Sequence, residues 1–303
     1  MICHDKILPQ RLQPGDTIGI AAPAGAFDLD SFELGIKIIQ AHGFQCKIPE
    51  GLFEKKGYFA GDDCHRATIF QSLFTDPTIH AILCARGGFG SMKILPLLNF
   101  DVIASHPKRL IGFSDVSALL CTLTQKSRII TFHGPMVTKL KALDDVSLQS
   151  LFSCLLLDTF VIHQPKDAII IREGQATGPL IGGNLTTLCH LIGTPFEPDF
   201  SNHIVFLEDI GEAIYRIDRM ISHMVLAGCF NSIHGILLGS FNHCGDYQTI
   251  CHLFESMIDM DIPIIAGFDC GHGIPNMCLP IGLNLSMNTF ESIMIQQIDE
   301  TFA

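Results

Sequence analysis

Short apolar runs alternate with segments of helical periodicity in the first 113 residues, and this alternation constrains the fold more than any other feature. A β-rich run over residues 16–23 precedes helical spacing from Asp30 to His42. A buried strand predicted at residues 80–85 precedes a helix predicted at Ser91–Leu98, and a further strand follows at Arg109–Phe113. Strands joined through helices form right-handed βαβ units, which align the strands in parallel. The pattern predicts an N-terminal, doubly wound α/β domain with its ligand sites at the carboxyl ends of the strands.

The second half of the chain has a different pattern. Glycines and short β-runs become denser from Gly178, and one helix with an apolar face is predicted over Ala213–Ala227. We therefore predict an N-terminal α/β domain over residues 1–150, a linker over residues 151–175 and a C-terminal mixed α/β domain over residues 176–303.

The charge balance argues against two classes of partner. The chain has 19 Lys and Arg against 31 Asp and Glu, a net charge of −12. Nucleic acids and anionic membranes both select basic surfaces, so we expect neither as a partner.

The first residues lack a signal-peptide pattern, and no apolar run reaches the ~18 residues of a membrane span. A cytoplasmic protein is therefore expected.

The twelve cysteines and fourteen histidines are scattered along the chain. There is no Cys-x-x-Cys pair and no His-Glu-x-x-His, the spacings that commonly bind zinc. Buried free thiols in a reducing compartment are our interpretation of the cysteines. We expect no metal and no organic cofactor.

Ser114 follows the predicted strand Arg109–Phe113 and precedes a helix. A strand, a tight turn and a helix are the setting in which a serine hydroxyl is exposed above a sheet as a nucleophile. The same position also suits an ordinary helix N-cap, in which the hydroxyl accepts a backbone N–H. Val116 replaces the second glycine of Gly-x-Ser-x-Gly, so the motif is incomplete and both interpretations stay open.

A second turn, Arg86-Gly-Gly-Phe-Gly90, follows the strand predicted at residues 80–85. Glycines there expose backbone N–H groups that can stabilise an oxyanion or hold a phosphate, although a plain βα turn needs the same residues. Arg86 can bind a carboxylate with two hydrogen bonds, or it is an exposed surface charge.

Two more groups complete a possible Ser-His-carboxylate set. Glu208 lies with Asp209 at the end of a predicted strand, where it can pair with an imidazole or cap the next helix. His272 lies between two glycines, which we interpret as leaving it mobile and accessible. His133, after another β-run, is a rival candidate for the base. These groups need only meet in space to act together.

The chain resembles the LD-carboxypeptidases, the muramoyltetrapeptide carboxypeptidases of bacterial cell-wall recycling. Eight matching stretches run in family order from about residue 12 to residue 285, and each is weak alone. They are Leu12-Gln-Pro-Gly-Asp-Thr-Ile-Gly-Ile-Ala-Ala-Pro, Ala85-Arg-Gly-Gly-Phe-Gly, Ile111-Gly-Phe-Ser-Asp, Phe132-His-Gly-Pro-Met, Gly178-Pro-Leu-Ile-Gly-Gly-Asn-Leu, Phe206-Leu-Glu-Asp-Ile-Gly-Glu, Tyr215-Arg-Ile-Asp-Arg and Gly271-His-Gly.

The resemblance implies a catalytic triad and its surroundings. The triad residues are Ser114, Glu208 and His272, with the site in the cleft between the N-terminal domain, which supplies the serine, and the C-terminal domain. Glu212 is the alternative acid. The oxyanion hole would consist of backbone N–H groups of Asp115 and of the Arg86-Gly87-Gly88 turn. The resemblance also implies a homodimer.

The substrate implied by the resemblance is a small murein peptide, the tetrapeptide that ends in diaminopimelyl-D-alanine, and the product is D-alanine. Our hypothesis is that Arg86 recognises the free carboxylate. A related family with the same triad, the microcin C self-immunity proteins, cleaves aminoacyl or peptidyl nucleotides, so a nucleotide amide is the alternative substrate. A non-catalytic binding protein is the third interpretation, and it predicts no covalent labelling of Ser114.

Overall fold

The computed structural model describes residues 6–160, 168–290 and 294–297. The strands in chain order are β1 Thr17–Ala21, β2 Gln45–Lys47, β3 Ala81–Cys84, β4 Arg109–Gly112, β5 Thr131–His133, β6 Ile169–Arg172, β7 Gln175–Asn184, β8 Ile204–Ile210, β9 Gly235–Asn242, β10 Ile264–Ala266, β11 Leu279–Ile281, β12 Asn284–Asn288 and β13 Met294–Gln297. The α-helices are α1 Leu29–Ala41, α2 Asp63–Thr75, α3 Ser91–Ile94, α4 Phe100–Ala104, α5 Ser117–Lys126, α6 Asp145–Leu156, α7 Leu185–Cys189, α8 Ile214–Leu226 and α9 Tyr247–Met257. Three 3₁₀ segments lie at Leu95–Leu97, Ser114–Val116 and Val137–Ala142.

Within these residues the strands form two sheets, and the predicted α/β class is confirmed. The first sheet has the order β11-β5-β4-β3-β1-β2, and its five N-terminal strands pair in parallel. Strands β3, β4 and β5 are buried along their whole length, which fits strands covered by helices on both faces.

The second sheet has the order β13-β12-β7-β8-β9-β10-β6. Strands β7 to β10 pair in parallel, whereas β6 and β12 join antiparallel at either side, so this sheet is mixed as predicted.

Two strands cross the predicted domain division. Strand β11, from the C-terminal part of the chain, pairs antiparallel with β5 in the first sheet. Strand β6 lies inside the predicted linker yet pairs with β10 in the second sheet, and residues 161–167 of that linker lie outside the described residues. The division at residues 1–150, 151–175 and 176–303 stays a prediction.

The helices follow their sequence signals closely, with one exception. Helices α1 and α8 lie within one residue of their predicted bounds, and the side chain of Asp28 caps α1 by accepting the Ser31 N–H. The helix predicted over Ser91–Leu98 instead stops at Ile94 and continues as a 3₁₀ turn. Pro96 lies in that turn and has no N–H to continue an α-helix. No helix among the described residues has the length and apolar character needed to cross a bilayer.

The carboxyl ends of three strands meet at one edge of the two sheets. Strand β3 leads into the Arg86 turn, β4 leads into Ser114, and β8 carries Glu208 near its end. Parallel strands collect their following loops at one edge, so this edge is where the topology places a site.

Candidate active site

Ser114 occupies a strained backbone position directly after β4. Its φ angle is +63°, in the left-handed region that non-glycine residues rarely adopt, and it begins the 3₁₀ turn that leads into α5. The Ser114 hydroxyl does not cap the turn or the helix. The N-cap interpretation is therefore not what the structure shows, and the hydroxyl is left to bond elsewhere.

Val116 fits the turn because of Gly112. A Cβ added to Gly112 would lie 2.7 Å from Cγ1 of Val116, so only glycine allows the valine to pack against the strand end. The turn thus needs glycine two residues before Ser114 and accommodates valine two residues after it, which explains why the second glycine of the motif is absent.

A chain of hydrogen bonds joins Ser114, His272 and Glu208. The Ser114 Oγ lies 3.1 Å from Nε2 of His272, and Nδ1 of the same imidazole lies 2.7 Å from Oε2 of Glu208. An Nδ1–H that donates to the carboxylate leaves Nε2 free to accept the serine proton. Glu208 is fully buried, and the His272 side chain is 13% exposed.

The glycines beside His272 allow the loop to pack closely against Glu208. Gly271 has φ +109°, and a Cβ there would lie 2.5 Å from Oε2 of Glu208. The His272 carbonyl accepts a bond from Nδ2 of Asn242 at 2.9 Å, and the Gly273 N–H donates to Oγ of Ser240 at 3.1 Å. These bonds connect the backbone on both sides of the imidazole to β9, which ends at Asn242.

Two histidines act on the charge of Glu208. Burial alone raises the pKa of this carboxyl, but His133 and His272 favour its ionised form and bring the pKa down from 4.5 to about 2. Nε2 of His133 lies 3.8 Å from Oε1 of Glu208, which is too long for a hydrogen bond but close enough for electrostatic attraction.

His133 is not placed as the base. It is fully buried and faces Glu208, its ring nitrogens have no hydrogen-bond partner among the described residues, and its ring packs edge-on against Phe206 at 5.0 Å between centroids. The imidazole that contacts the serine hydroxyl is His272.

The neighbouring acids have other partners. Asp209 accepts bonds from the Asn184 amide and from the backbone N–H and hydroxyl of Thr186. Glu212 forms an ion pair with Arg216 at 3.3 Å. In the structure the carboxylate that contacts His272 therefore belongs to Glu208, whereas Glu212 lies on the wall of the adjacent cavity.

The Arg86 turn approaches Ser114 closely. A Cβ on Gly87 would lie 3.1 Å from Cβ and 3.3 Å from Oγ of Ser114, and Gly88 has φ +105°. The Asp115 carboxylate accepts the Ser91 N–H at 2.8 Å, which connects the two turns through side chain and backbone. Burial raises the pKa of Asp115, although the Ser91 bonds oppose this.

Ser114 opens into a cavity of about 490 Å³ lined from both halves of the chain, by Gly88, Phe89, Ser114, Asn184, Thr186 and Glu212 among others. Arg86 lies in a neighbouring cavity of about 380 Å³, which shares Gly88 and Phe89 with the first. Arg86 is exposed, and its guanidinium donates to the Ala26 carbonyl at 2.8 Å.

No group of three or more His, Cys, Asp or Glu in the described part of the chain is arranged to hold a metal ion.

The segment Gly182-Gly183-Asn184 belongs to one of the stretches that match the family but carries no chemical motif of its own. Side chains at Gly182 or Gly183 would collide with Phe206 or Ser117, respectively, so the two glycines let β7 pass between β8 and α5. The Asn184 N–H donates to Oγ of Ser117 at 3.0 Å, and its side chain lines the Ser114 cavity. In the sequence, two consecutive glycines before a polar residue are the feature that could have indicated this close packing next to the site.

Comparison with protein families gives two matches that follow each other along the chain. Residues 18–134 match the LD-carboxypeptidase N-terminal domain, and residues 177–287 match the LD-carboxypeptidase C-terminal domain.

Three curated relatives are similar over nearly their whole lengths. A probable murein peptide carboxypeptidase of Bacillus subtilis is 33% identical, with 95% of this chain and 93% of the relative covered. The murein tetrapeptide carboxypeptidase of Pseudomonas aeruginosa is 30% identical, with 90% and 94% covered. The microcin C7 self-immunity protein MccF of Escherichia coli is 30% identical, with 95% of each covered.

Solved structures show the same fold. A mutant microcin C7 self-immunity protein in complex with adenosine monophosphate superposes with a TM-score of 0.89 at 26% identity, covering 96% of this chain and 98% of that one. The muramoyltetrapeptide carboxypeptidase from Oxalobacter formigenes gives a TM-score of 0.80 at 24% identity, covering 93% and 99%.

Proposed function

This chain belongs to the LD-carboxypeptidase family, and we propose that it is a serine carboxypeptidase that releases D-alanine from murein tetrapeptide during cell-wall peptide recycling. The observation that carries the proposal is the bonded series from Ser114 through His272 to Glu208. Relatives named for murein peptides support the substrate. The proposal includes a homodimer, as the family resemblance implied, and a cytoplasmic location.

In this mechanism Ser114 is the nucleophile. His272 takes the hydroxyl proton at Nε2 as Oγ attacks the carbonyl of the diaminopimelyl-D-alanine bond, and then gives the proton to the leaving amine. Glu208 holds the Nδ1–H tautomer and stabilises the imidazolium, which its strong preference for the ionised form allows at neutral pH. Water then hydrolyses the acyl-enzyme through the same imidazole.

The oxyanion of the tetrahedral intermediate would be held by backbone N–H groups of Asp115, Gly87 and Gly88. The close approach of Gly87 to Ser114 supports this assignment. Removal of one such donor typically costs about 3–4 kcal/mol of transition-state stabilisation.

Arg86 is the proposed partner of the C-terminal carboxylate of the substrate. Its cavity shares Gly88 and Phe89 with the Ser114 cavity, so a carboxylate in the Arg86 cavity would lie next to a peptide bond at the serine. A guanidinium can bind a carboxylate through two parallel hydrogen bonds.

The test is D-alanine release from L-Ala-γ-D-Glu-meso-diaminopimelate-D-Ala by the wild-type protein and by Ser114→Ala. We expect release by the wild type and a loss of at least about 10³-fold in the variant. Ser72→Ala, which removes an exposed serine hydroxyl on α2, is the matched control and should keep its activity. A folded wild-type protein that releases no D-alanine, or a fully active Ser114→Ala, would contradict the proposal.

A nucleotide amide is the second candidate substrate, and one structural feature favours it. Tyr58 and Phe89 are exposed in the Arg86 cavity, 64% and 42% respectively, with ring centroids 6.5 Å apart. Exposed rings of this kind can stack on a base. Cleavage of an aspartyl sulfamoyl adenosine, with no release of D-alanine from the tetrapeptide, would select this candidate.

A further inference from the structure

A third cavity, of about 620 Å³, adjoins the Ser114 cavity on the side away from Arg86. The two cavities share Thr186, His190 and Glu212 as walls. The shared residues come from α7, its C-terminal end and the segment before α8, so a ligand at Ser114 can extend into the third cavity.

The third cavity is basic in an acidic protein. Arg216, Arg219 and His223 line it from α8, and their spacing of three and four residues places them on one face of that helix. Ile217 and Ile221 occupy the opposite, buried face, which fixes the direction of the basic face. The cavity wall carries two guanidinium groups, Arg216 and Arg219, and one carboxylate, Glu212. The local charge is therefore positive, although the chain as a whole has a net charge of −12.

The two arginines differ in their partners. Arg216 is held by Glu212 at 3.3 Å and by the Tyr215 hydroxyl at 3.2 Å. Arg219 has no carboxylate partner among the described residues, and its guanidinium lies 5.8 Å from the Tyr215 ring centroid. Its charge also acts inside the cavity, where it counters the burial that raises the pKa of Cys189. Arg219 is therefore an exposed positive group in the cavity wall, next to the Tyr215 ring and with its N–H donors available to a ligand.

We propose that this cavity binds a carboxylate on the acyl side of the scissile bond, with Arg219 as its main donor. The inference rests on the proposed function and deepens it. The Arg86 cavity and the Arg219 cavity each share walls with the Ser114 cavity but have no wall residue in common, so the serine lies between two basic sites. With the terminal carboxylate at Arg86, the Arg219 cavity receives the acyl part, which carries the α-carboxylate of γ-linked D-glutamate and the side-chain carboxylate of diaminopimelate.

The experiment compares the tetrapeptide with an analogue in which both acyl-side carboxylates are amides. We expect Arg219→Gln to raise KM for the acidic peptide about tenfold with kcat within about twofold, because a charge-assisted hydrogen bond is lost. Arg219→Gln should leave KM for the diamide unchanged, and Arg219→Lys should restore part of the affinity for the acidic peptide. Lys37→Gln, an equal charge change on the exposed face of α1, is the control. Thermal melting checks that each variant folds.

The outcomes separate this inference from the function on which it rests. D-Alanine release with the same KM in Arg219→Gln and wild type, or equal losses on both peptides, overturns the carboxylate site and leaves the proposed function standing. No release from either peptide by the folded wild type overturns both. Adenosine monophosphate that binds more tightly than the tripeptide product, and loses that binding in Arg219→Gln, would assign the cavity to phosphate and overturn the carboxylate assignment.

Discussion

His133 and Glu208 face each other inside the protein, with Nε2 of the imidazole 3.8 Å from Oε1 of the carboxylate. Both side chains are fully buried, and neither of these two atoms has a hydrogen-bond partner in the described part of the structure. The other carboxylate oxygen holds His272. Glu208 is thus oriented by two imidazoles, and only one of them reaches the serine.

This arrangement predicts a positioning role for His133. His133→Leu should lower kcat for D-alanine release about 10- to 100-fold, because Glu208 loses a favourable neighbour in a buried site, while KM stays within about twofold. His133→Gln retains an N–H donor and should lose less activity. Steady-state kinetics of both variants provide the measurement. Equal kcat in wild type and His133→Leu would show that the second imidazole only fills space.

Gly271 should tolerate no side chain. Gly271→Ala places a methyl group 2.5 Å from Oε2 of Glu208, so we expect displacement of the carboxylate from His272 and a loss in kcat of at least about 100-fold. Gly43→Ala is the matched control, because Gly43 also has a positive φ, +88°, but has open space around it. That variant should lose about 1 kcal/mol of stability and keep its activity. Similar kcat values for the two variants would contradict the prediction.

Glu208 should make the free energy of unfolding depend on pH in the acidic range. Its pKa in the folded protein is depressed to about 2 from 4.5, so the unfolded chain binds the proton first as pH falls. Its contribution to the free energy of unfolding is complete above about pH 4.5 and is lost as pH falls towards 2. Urea denaturation between pH 6 and pH 3 should show a steeper loss for wild type than for Glu208→Gln, which cannot titrate there. Parallel curves for the two proteins would indicate an ordinary carboxyl.

Arg86 should affect binding more than chemistry. Arg86→Gln is expected to raise KM for the tetrapeptide about tenfold, because a charged donor to the terminal carboxylate is lost. Arg86→Lys keeps the charge but not the paired geometry and should fall in between. If kcat and KM were unchanged in Arg86→Gln, the residue would be an exposed charge held by the Ala26 carbonyl. Lys37→Gln controls for the change in net charge.

The sequence predicts the local parts of this fold well, because they depend on neighbouring residues. Helix α1 follows from the helical spacing of Phe32, Ile36 and Ile39, which the structure buries on one face. The pairing of β11 with β5 depends on residues far apart in the chain, and no local pattern marks it. Strand β6 was placed in a linker for the same reason. Its apolar run is short, and its pairing with β10 depends on residues far away in the chain.

The site was predicted only in part for a similar reason. On local grounds Ser114 could be a helix cap or a nucleophile. Family resemblance, not spacing, joined it to His272, 158 residues away. His133 is an example of what the sequence did not predict. Its contact with Glu208 depends on how β5 packs against β8, which a single sequence does not specify.

Strand β11 sets the order in which the protein can mature. Its three residues, Leu279–Ile281, complete an edge of the first sheet, and the segment that bears His272 runs from β10 in one sheet to β11 in the other. A ribosome must therefore deliver nearly the entire chain before the serine can meet its base. Because domains generally fold as they emerge, the N-terminal part folds first, with the edge of β5 still unpaired and with Ser114 still without His272. A chain that ends before this segment therefore lacks the imidazole that contacts Ser114 in the complete fold.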